Sequence, residues 1–78
     1  MTNHNAALGK ALRRLREERN LTIETLAYQA GLDRNGISLI EVGRRSPTFN
    51  TIAALLRTMN VGIVELARLI EEELNQSE

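Results

Sequence analysis

The sequence of 78 residues suits one domain over residues 1–78, and its lack of cysteine excludes disulfides and thiolate metal sites. Its longest apolar run, IAALL at 52–56, cannot cross a membrane, and its start, MTNHNAAL, lacks signal-peptide regions, so we expect a soluble cytoplasmic protein. The net charge is zero, but residues 1–60 carry nine basic and five acidic side chains against one and five in 61–78, so the N-terminal portion is basic.

Apolar residues spaced three and four apart predict helices from the start of the chain. The first helix covers about residues 6–19, and Asn20 is placed to end it in a left-handed conformation. Thr22 is a good cap for a second helix over 23–30, which Gly31 closes. The apolar faces of these two helices comprise Leu8, Ala11, Leu12 and Leu15 in the first, and Ile23, Leu26, Ala27 and Ala30 in the second.

Three more helices follow the same spacing. Asp33 caps a third over about 34–42, and Gly43 can close it. Thr48 caps a fourth, and a fifth runs from 63 to about 75. No segment alternates polar and apolar residues as a strand would, so the sequence predicts an all-α domain of five helices. The predicted core face of the fourth helix comprises Phe49, Ile52, Leu55, Leu56 and Met59.

The connection between the second and third helices is the most informative feature. Only GLD, residues 31–33, joins them, which is too short for two helices lying flat side by side. A steep crossing needs small residues, which Ala27 and Ala30 supply, and a sharp turn, which Gly31 allows. This pattern predicts a helix-turn-helix, whose second helix enters the DNA major groove. The alternative is a plain helical hairpin without a ligand. The wedge between the helices is filled by Leu26, Leu32, Ile37 and Ile40.

The segment LREERNLTIETLAYQAGLDRNGISLIEVGRRSPTFNTIAALL resembles the phage-repressor-like, Xre-type helix-turn-helix family. The resemblance implies a compact five-helix, repressor-like domain that binds double-stranded operator DNA, usually as a homodimer. It also implies which side chains contact the DNA. The residues implied to face the bases are Arg34, Asn35, Ser38 and Leu39, and those implied to lie near the sugar-phosphate backbone are Arg44, Arg45, Thr48 and Asn50.

The sequence departs from the family at two positions. A glutamine commonly opens the second helix and contacts a phosphate, but here Ile23 occupies that position. Isoleucine can neither donate nor accept a hydrogen bond, so we expect the Thr22 hydroxyl to make a backbone contact instead. Leu39 stands where many relatives carry a polar residue, and it can still pack on a thymine methyl group.

The first turn of the third helix combines an arginine, an amide and a glycine. Arg34 has the fork that binds O6 and N7 of guanine, and Asn35 can pair with adenine or a phosphate. Gly36 costs about 1 kcal/mol against alanine in a helix. We interpret it as removing a side chain that would face the groove or a neighbouring backbone; the alternative is sequence drift at a tolerant surface position.

No constellation of catalytic residues is present. Glu41 has no partner carboxylate, nucleophile or metal cluster, so the sequence indicates a protein that is not an enzyme and uses no cofactor, metal or small-molecule ligand. Glu41 is better explained as the partner of Arg16, at the edge of the first helix's apolar face. The family resemblance also implies an arginine–glutamate ion pair there, which would tie the first helix to the third.

The fifth helix has more apolar residues than a monomer needs. We expect its core stripe to comprise Ile63, Leu66, Ala67, Ile70 and Leu74. Leu69 and Val64 fall outside that stripe on its two flanks, so the sequence predicts a homodimer through this helix, unless they are ordinary scattered surface residues. Phe49 and the fourth helix are the next candidate. The predicted interface comprises Val64, Leu66, Leu69 and Ile70.

Three functions remain open from the sequence. The first is a transcription regulator, with RNA polymerase as a candidate further partner. Because residues 1–78 leave no room for an effector domain, we expect its activity to follow its own concentration through dimerisation. In this mode of regulation, in its length and in the segments LAYQAGLDR and IEVGRRSPT, the chain resembles the small restriction-modification controller proteins. The second is an antitoxin or Cro-like autorepressor, and the third is a protein–protein module that has lost DNA binding.

Overall fold

The computed structural model describes residues 3–76 and contains five α-helices in that range, without a strand. The all-α prediction is therefore confirmed. Residues 1–2 and 77–78 of the expected domain lie outside the described residues. Within 3–76, no helix has the length and apolar character needed to cross a membrane. The helices are α1 (His4–Glu18), α2 (Ile23–Ala30), α3 (Arg34–Glu41), α4 (Phe49–Met59) and α5 (Ile63–Gln76).

Local capping explains where most helices begin and end. The side chains of Thr22, Asp33 and Thr48 each accept a hydrogen bond from a backbone N–H three residues later, as their sequence positions predict. Asn20 and Asn60 adopt left-handed conformations, with φ of 56° and 58°. α1 begins earlier than expected because the Asn3 side chain caps it, accepting from the N–H groups of Asn5 and Ala6; this cap was missed in the sequence.

The core lies between α1 and the other helices. α1 packs mainly on α5 and α3, while α2 packs on α3 and α4. Burial of these apolar side chains is the main force that holds such short helices together. The largest fully buried side chains come one from each helix: Leu15, Leu26, Ile37, Leu55 and Leu66.

A close backbone approach fixes α1 against the end of α3. Gly9 is buried, and a Cβ atom there would overlap the carbonyl oxygen of Ile40 and lie 2.6 Å from that of Glu41. Glycine is therefore required at this point of α1, although the interior of a helix disfavours it. The contact sets the depth at which the third helix sits in the domain.

The predicted core stripe of α5 is partly wrong: Leu66 is buried as expected, but Ile63 is exposed. Leu66 and Leu69 are only 2% and 8% exposed, so these two members of the predicted dimer interface belong to the core of the single chain. α5 packs against α1 with Leu69 on its buried side. Ile63 and Val64 remain at the surface and are 50% and 64% exposed. Of the other predicted interface residues, Val64 is accessible, whereas Ile70 packs partly against the core.

Phe49 is also not where the sequence places it. It was expected on the core face of α4, but its side chain is 68% exposed at the first position of the helix. The buried residues of α4 are Leu55, Leu56 and Met59, all in its second half. Ile52, three residues after Phe49, packs only partly against the core, so burial increases along α4 from its exposed start.

Candidate nucleic-acid interface

The turn between α2 and α3 has the local geometry of a tight helix-turn-helix. Gly31 is left-handed, with φ of 69°, and the N–H of Leu32 donates to the carbonyl of Ala27 at 2.9 Å. On the inner side of the two helices Leu26, Ala27 and Ile37 are buried. Burial of that side leaves the outer side of α3 free to meet a partner.

The four residues expected to face the bases all lie on α3. Arg34 and Asn35 are exposed in its first turn, and Ser38 and Leu39 are half-buried one turn later. In helix-turn-helix proteins the N-terminal residues of the second helix contact base edges. The exposure of Arg34 and Asn35 is compatible with that role, which stays a prediction.

An acidic residue of α2 contacts the single arginine of α3. Oε2 of Glu24 lies 2.9 Å from Nη2 of Arg34, and the two side chains are 63% and 57% exposed. This ion pair was missed in the sequence, where the partners stand ten positions apart on different helices. The signal that could have found it is an acid and a base in the first turns of two helices joined by a tight turn.

Gly36 has an intramolecular neighbour that explains part of its role. A Cβ atom at Gly36 would lie 3.1 Å from Nη1 of Arg45. The missing side chain therefore gives the Arg45 guanidinium room beside the first turn of α3. Arg45 and Gly36 border an open cavity of about 270 Å³ between α3 and the start of α4.

The residues expected near the DNA backbone lie at two helix starts and on the loop between α3 and α4. Thr22 and Thr48 cap α2 and α4, and each also shares a hydroxyl–hydroxyl hydrogen bond with the threonine three residues later. Helix N-termini attract phosphates because their N–H groups point outward. The remaining expected contacts, all exposed, are Arg44, Arg45 and Asn50.

Arg16 and Glu41 form a nearly buried, bidentate ion pair beneath α3. Nε and Nη2 of Arg16 donate to Oε2 and Oε1 of Glu41 at 2.7 and 3.0 Å, and Nη1 donates to the carbonyl of Leu21 at 2.7 Å. Their side chains are 11% and 5% exposed. The hydrogen bonds to Glu41 raise the pKa of the Arg16 guanidinium above its ordinary value, against the opposing effect of burial. The pair joins α1, α3 and the turn before α2.

The family profile of helix-turn-helix domains matches residues 7–69. The HTH-type transcriptional repressor RghR of Bacillus subtilis is 40% identical in an alignment of 70 residues that covers 85% of this chain and 52% of RghR. The chain thus spans about half the length of that relative.

Solved structures share the fold. The restriction-modification controller protein C.AhdI from Aeromonas hydrophila is 34% identical, with a TM-score of 0.77 over 80% of this chain and 94% of C.AhdI. The controller protein C.Esp1396I, solved as a tetramer with its natural 35-base-pair operator, is 25% identical, with a TM-score of 0.86 over 96% of this chain and 99% of its own. With its matched profile, its five helices and its tight α2–α3 turn, the chain belongs to the Xre-like helix-turn-helix domain family.

Proposed function

We propose that the chain is a sequence-specific, double-stranded DNA-binding transcription regulator that acts in the cytoplasm as a homodimer. The observation that carries the proposal is the exposed first turn of α3, which presents Arg34 and Asn35 from the second helix of a helix-turn-helix. Similarity to a transcriptional repressor and to a controller protein solved on its operator supports it. These relatives are regulators and not enzymes.

The charges around α3 suit a DNA partner. Arg34, Arg44 and Arg45 are exposed on α3 and the loop that follows it. Exposed acids collect on α5, where Glu72 contacts Arg14 at 3.1 Å. The zero net charge therefore hides two unlike surfaces, and the basic one includes the recognition helix.

A narrower proposal is that the protein is a restriction-modification controller. C.AhdI, at 34% identity, is matched over 94% of its own length, whereas RghR, at 40% identity, is matched over only 52% of its length, which favours this class over a general repressor. RNA polymerase would be a further partner of a controller that activates transcription. The neighbouring genes test this proposal: a methyltransferase and an endonuclease are expected beside it, whereas a small toxin gene would indicate an antitoxin.

Two arginine variants test DNA recognition. The ligand is the duplex that the wild-type chain selects from a random-sequence library, and a scrambled duplex of equal length is the comparison. We expect Arg34→Ala to weaken binding to the selected duplex by about 1–3 kcal/mol and to relax preference at one base pair in each half-site. Arg45→Ala should weaken binding to both duplexes and lower the salt slope by about one, because it contacts phosphate.

Arg57→Ala serves as the control for these variants, because Arg57 is an exposed arginine in the last turn of α4, outside both α3 and the exposed apolar side of α5. It should leave both affinities unchanged. If Arg34→Ala and Arg45→Ala each lowered the affinity equally for the selected and the scrambled duplex, the assigned roles would be wrong. A wild-type chain that selects no sequence would contradict the proposed function itself.

The dimer surface is proposed on the exposed apolar side of α5. Ile63 and Ala67 lie one turn apart, Val64 lies beside them, and all three are exposed. A two-fold dimer would place two recognition helices about 34 Å apart, one DNA turn. This surface replaces the predicted one, from which Leu66 and Leu69 are removed by burial.

Val64→Glu tests the dimer. We expect a folded monomer in sedimentation, with affinity for the selected duplex lowered by about 100-fold or more because two linked contacts become one. Val42→Glu places the same charge on another exposed valine, 61% accessible at the end of α3, and should remain a dimer. If Val64→Glu sediments as an unchanged dimer, the interface lies elsewhere, with Phe49 and the start of α4 as the next surface.

A further inference from the structure

Glu24 is the acidic residue that contacts the expected base-reading arginine. It stands in the first turn of α2, and its Oε2 lies 2.9 Å from Nη2 of Arg34 across the helix-turn-helix. Both side chains are more than half exposed. An ion pair this exposed contributes little to the stability of the fold, so we expect it to act on the binding of DNA by Arg34.

The geometry leaves Arg34 able to bind a base while it contacts Glu24. A guanidinium carries five N–H donors on three nitrogens, and the pair with Glu24 engages the Nη2 side. Recognition of O6 and N7 of guanine uses two parallel donors. The parallel donor pairs of a guanidinium are Nη1–H with Nη2–H and Nε–H with Nη2–H. Because Nη2 carries two hydrogens, one can face Glu24 while the other acts with Nη1 or Nε, so Glu24 can hold the arginine without occupying every donor.

The charge of Glu24 also limits what else Arg34 can do. Attraction between arginine and phosphate is independent of sequence and dominates non-specific affinity. Glu24 places a negative charge beside Arg34, which offsets that attraction and repels phosphate. An arginine held in this way contributes more to distinguishing bases than to binding DNA of any sequence.

We propose that Glu24 is a specificity-determining positioning residue, which orients Arg34 toward a base edge and suppresses its contacts with phosphate. The inference rests on the proposed function and adds a residue to its site. A different role for Glu24 is to stabilise the N-terminus of α2, where acidic side chains are favoured. That role would change the stability of the fold and leave the preference between DNA sequences unaltered.

Glu24→Gln separates these roles. Its affinities are measured for the duplex selected by the wild-type chain and for a scrambled duplex of equal length, over a series of salt concentrations. We expect the ratio of the two affinities to fall about tenfold, because the bidentate contact of Arg34 loses its orientation. Binding to the scrambled duplex should tighten, with a salt slope steeper by about one, because the freed arginine reaches a phosphate.

The control is Glu17→Gln, which removes the carboxylate of another exposed ion pair. In that pair, on α1, Oε2 of Glu17 lies 3.0 Å from Nε of Arg13. It should leave the ratio unchanged. In an Arg34→Ala background, Glu24→Gln should no longer lower the ratio, since there is no arginine to orient. The inference would be overturned if Glu24→Gln left the ratio of the two affinities unchanged, or if it lowered that ratio equally in the Arg34→Ala background. In either case the preference of the wild-type chain for the selected duplex would still support the proposed function. A wild-type chain without preference would contradict both.

Discussion

Leu69→Glu should unfold the protein. The Leu69 side chain is 8% exposed and belongs to the hydrophobic core, to which all five helices contribute. Losing a buried leucine costs about 2–5 kcal/mol even when alanine replaces it. A carboxylate without a partner in that space adds a further penalty. Because a small domain has only about 5–15 kcal/mol of stability, the variant should be largely unfolded in far-ultraviolet circular dichroism and lack a cooperative urea transition.

Val64→Glu is the matched comparison on the same helix. Val64 is 64% exposed, so the charge remains in water and the free energy of unfolding of the single chain should change by about 0.5 kcal/mol or less. Both variants should be measured over a range of protein concentrations, because dimerisation adds its own stability. A Leu69→Glu chain that folds normally would show that α5 presents a different face to α1.

Glu41→Ala should destabilise the fold by about 3–5 kcal/mol, because it leaves the nearly buried Arg16 guanidinium without its carboxylate. Arg16→Ala should have a comparable effect, since it strands Glu41 and also removes the hydrogen bond to the carbonyl of Leu21. Urea unfolding of the two single variants and the double variant then gives the coupling between the side chains. We expect the double variant to lose less than the sum of the single losses.

The exposed pair Arg13–Glu17 is the control for this cycle. Its side chains are 59% and 55% exposed, so its coupling should be about 0.5 kcal/mol or less. Additive losses at Arg16 and Glu41 would mean that the buried pair does not form in solution. Because Glu41 raises the pKa of Arg16, the stabilisation is present below the ordinary arginine pKa and is lost only in more alkaline solution, so the shift predicts no change near neutral pH.

Local features of the fold follow from the sequence because each depends on residues within one turn of one another. The caps at Thr22, Asp33 and Thr48 and the left-handed Asn20 fall where their neighbours predict. The turn at Gly31 follows from a three-residue connection with a residue that tolerates positive φ. The contact of Arg16 with Glu41 was also anticipated, from the edge position of Arg16 and the family resemblance.

The tertiary structure decides what a helix faces, which periodicity alone leaves open when the apolar arc is wide. On α5 either the side of Ile63 or the side of Leu69 could have been buried, and contact with α1 selects Leu69. The ion pair of Glu24 with Arg34 and the fit of Gly9 against the end of α3 likewise join residues far apart in the chain. The five helices, most of their caps and the helix-turn-helix can be predicted from the residues alone, because each depends on neighbours close in the chain. Only the packing of helices determined which apolar residues remain for a partner, because burial depends on the neighbours that the fold brings together.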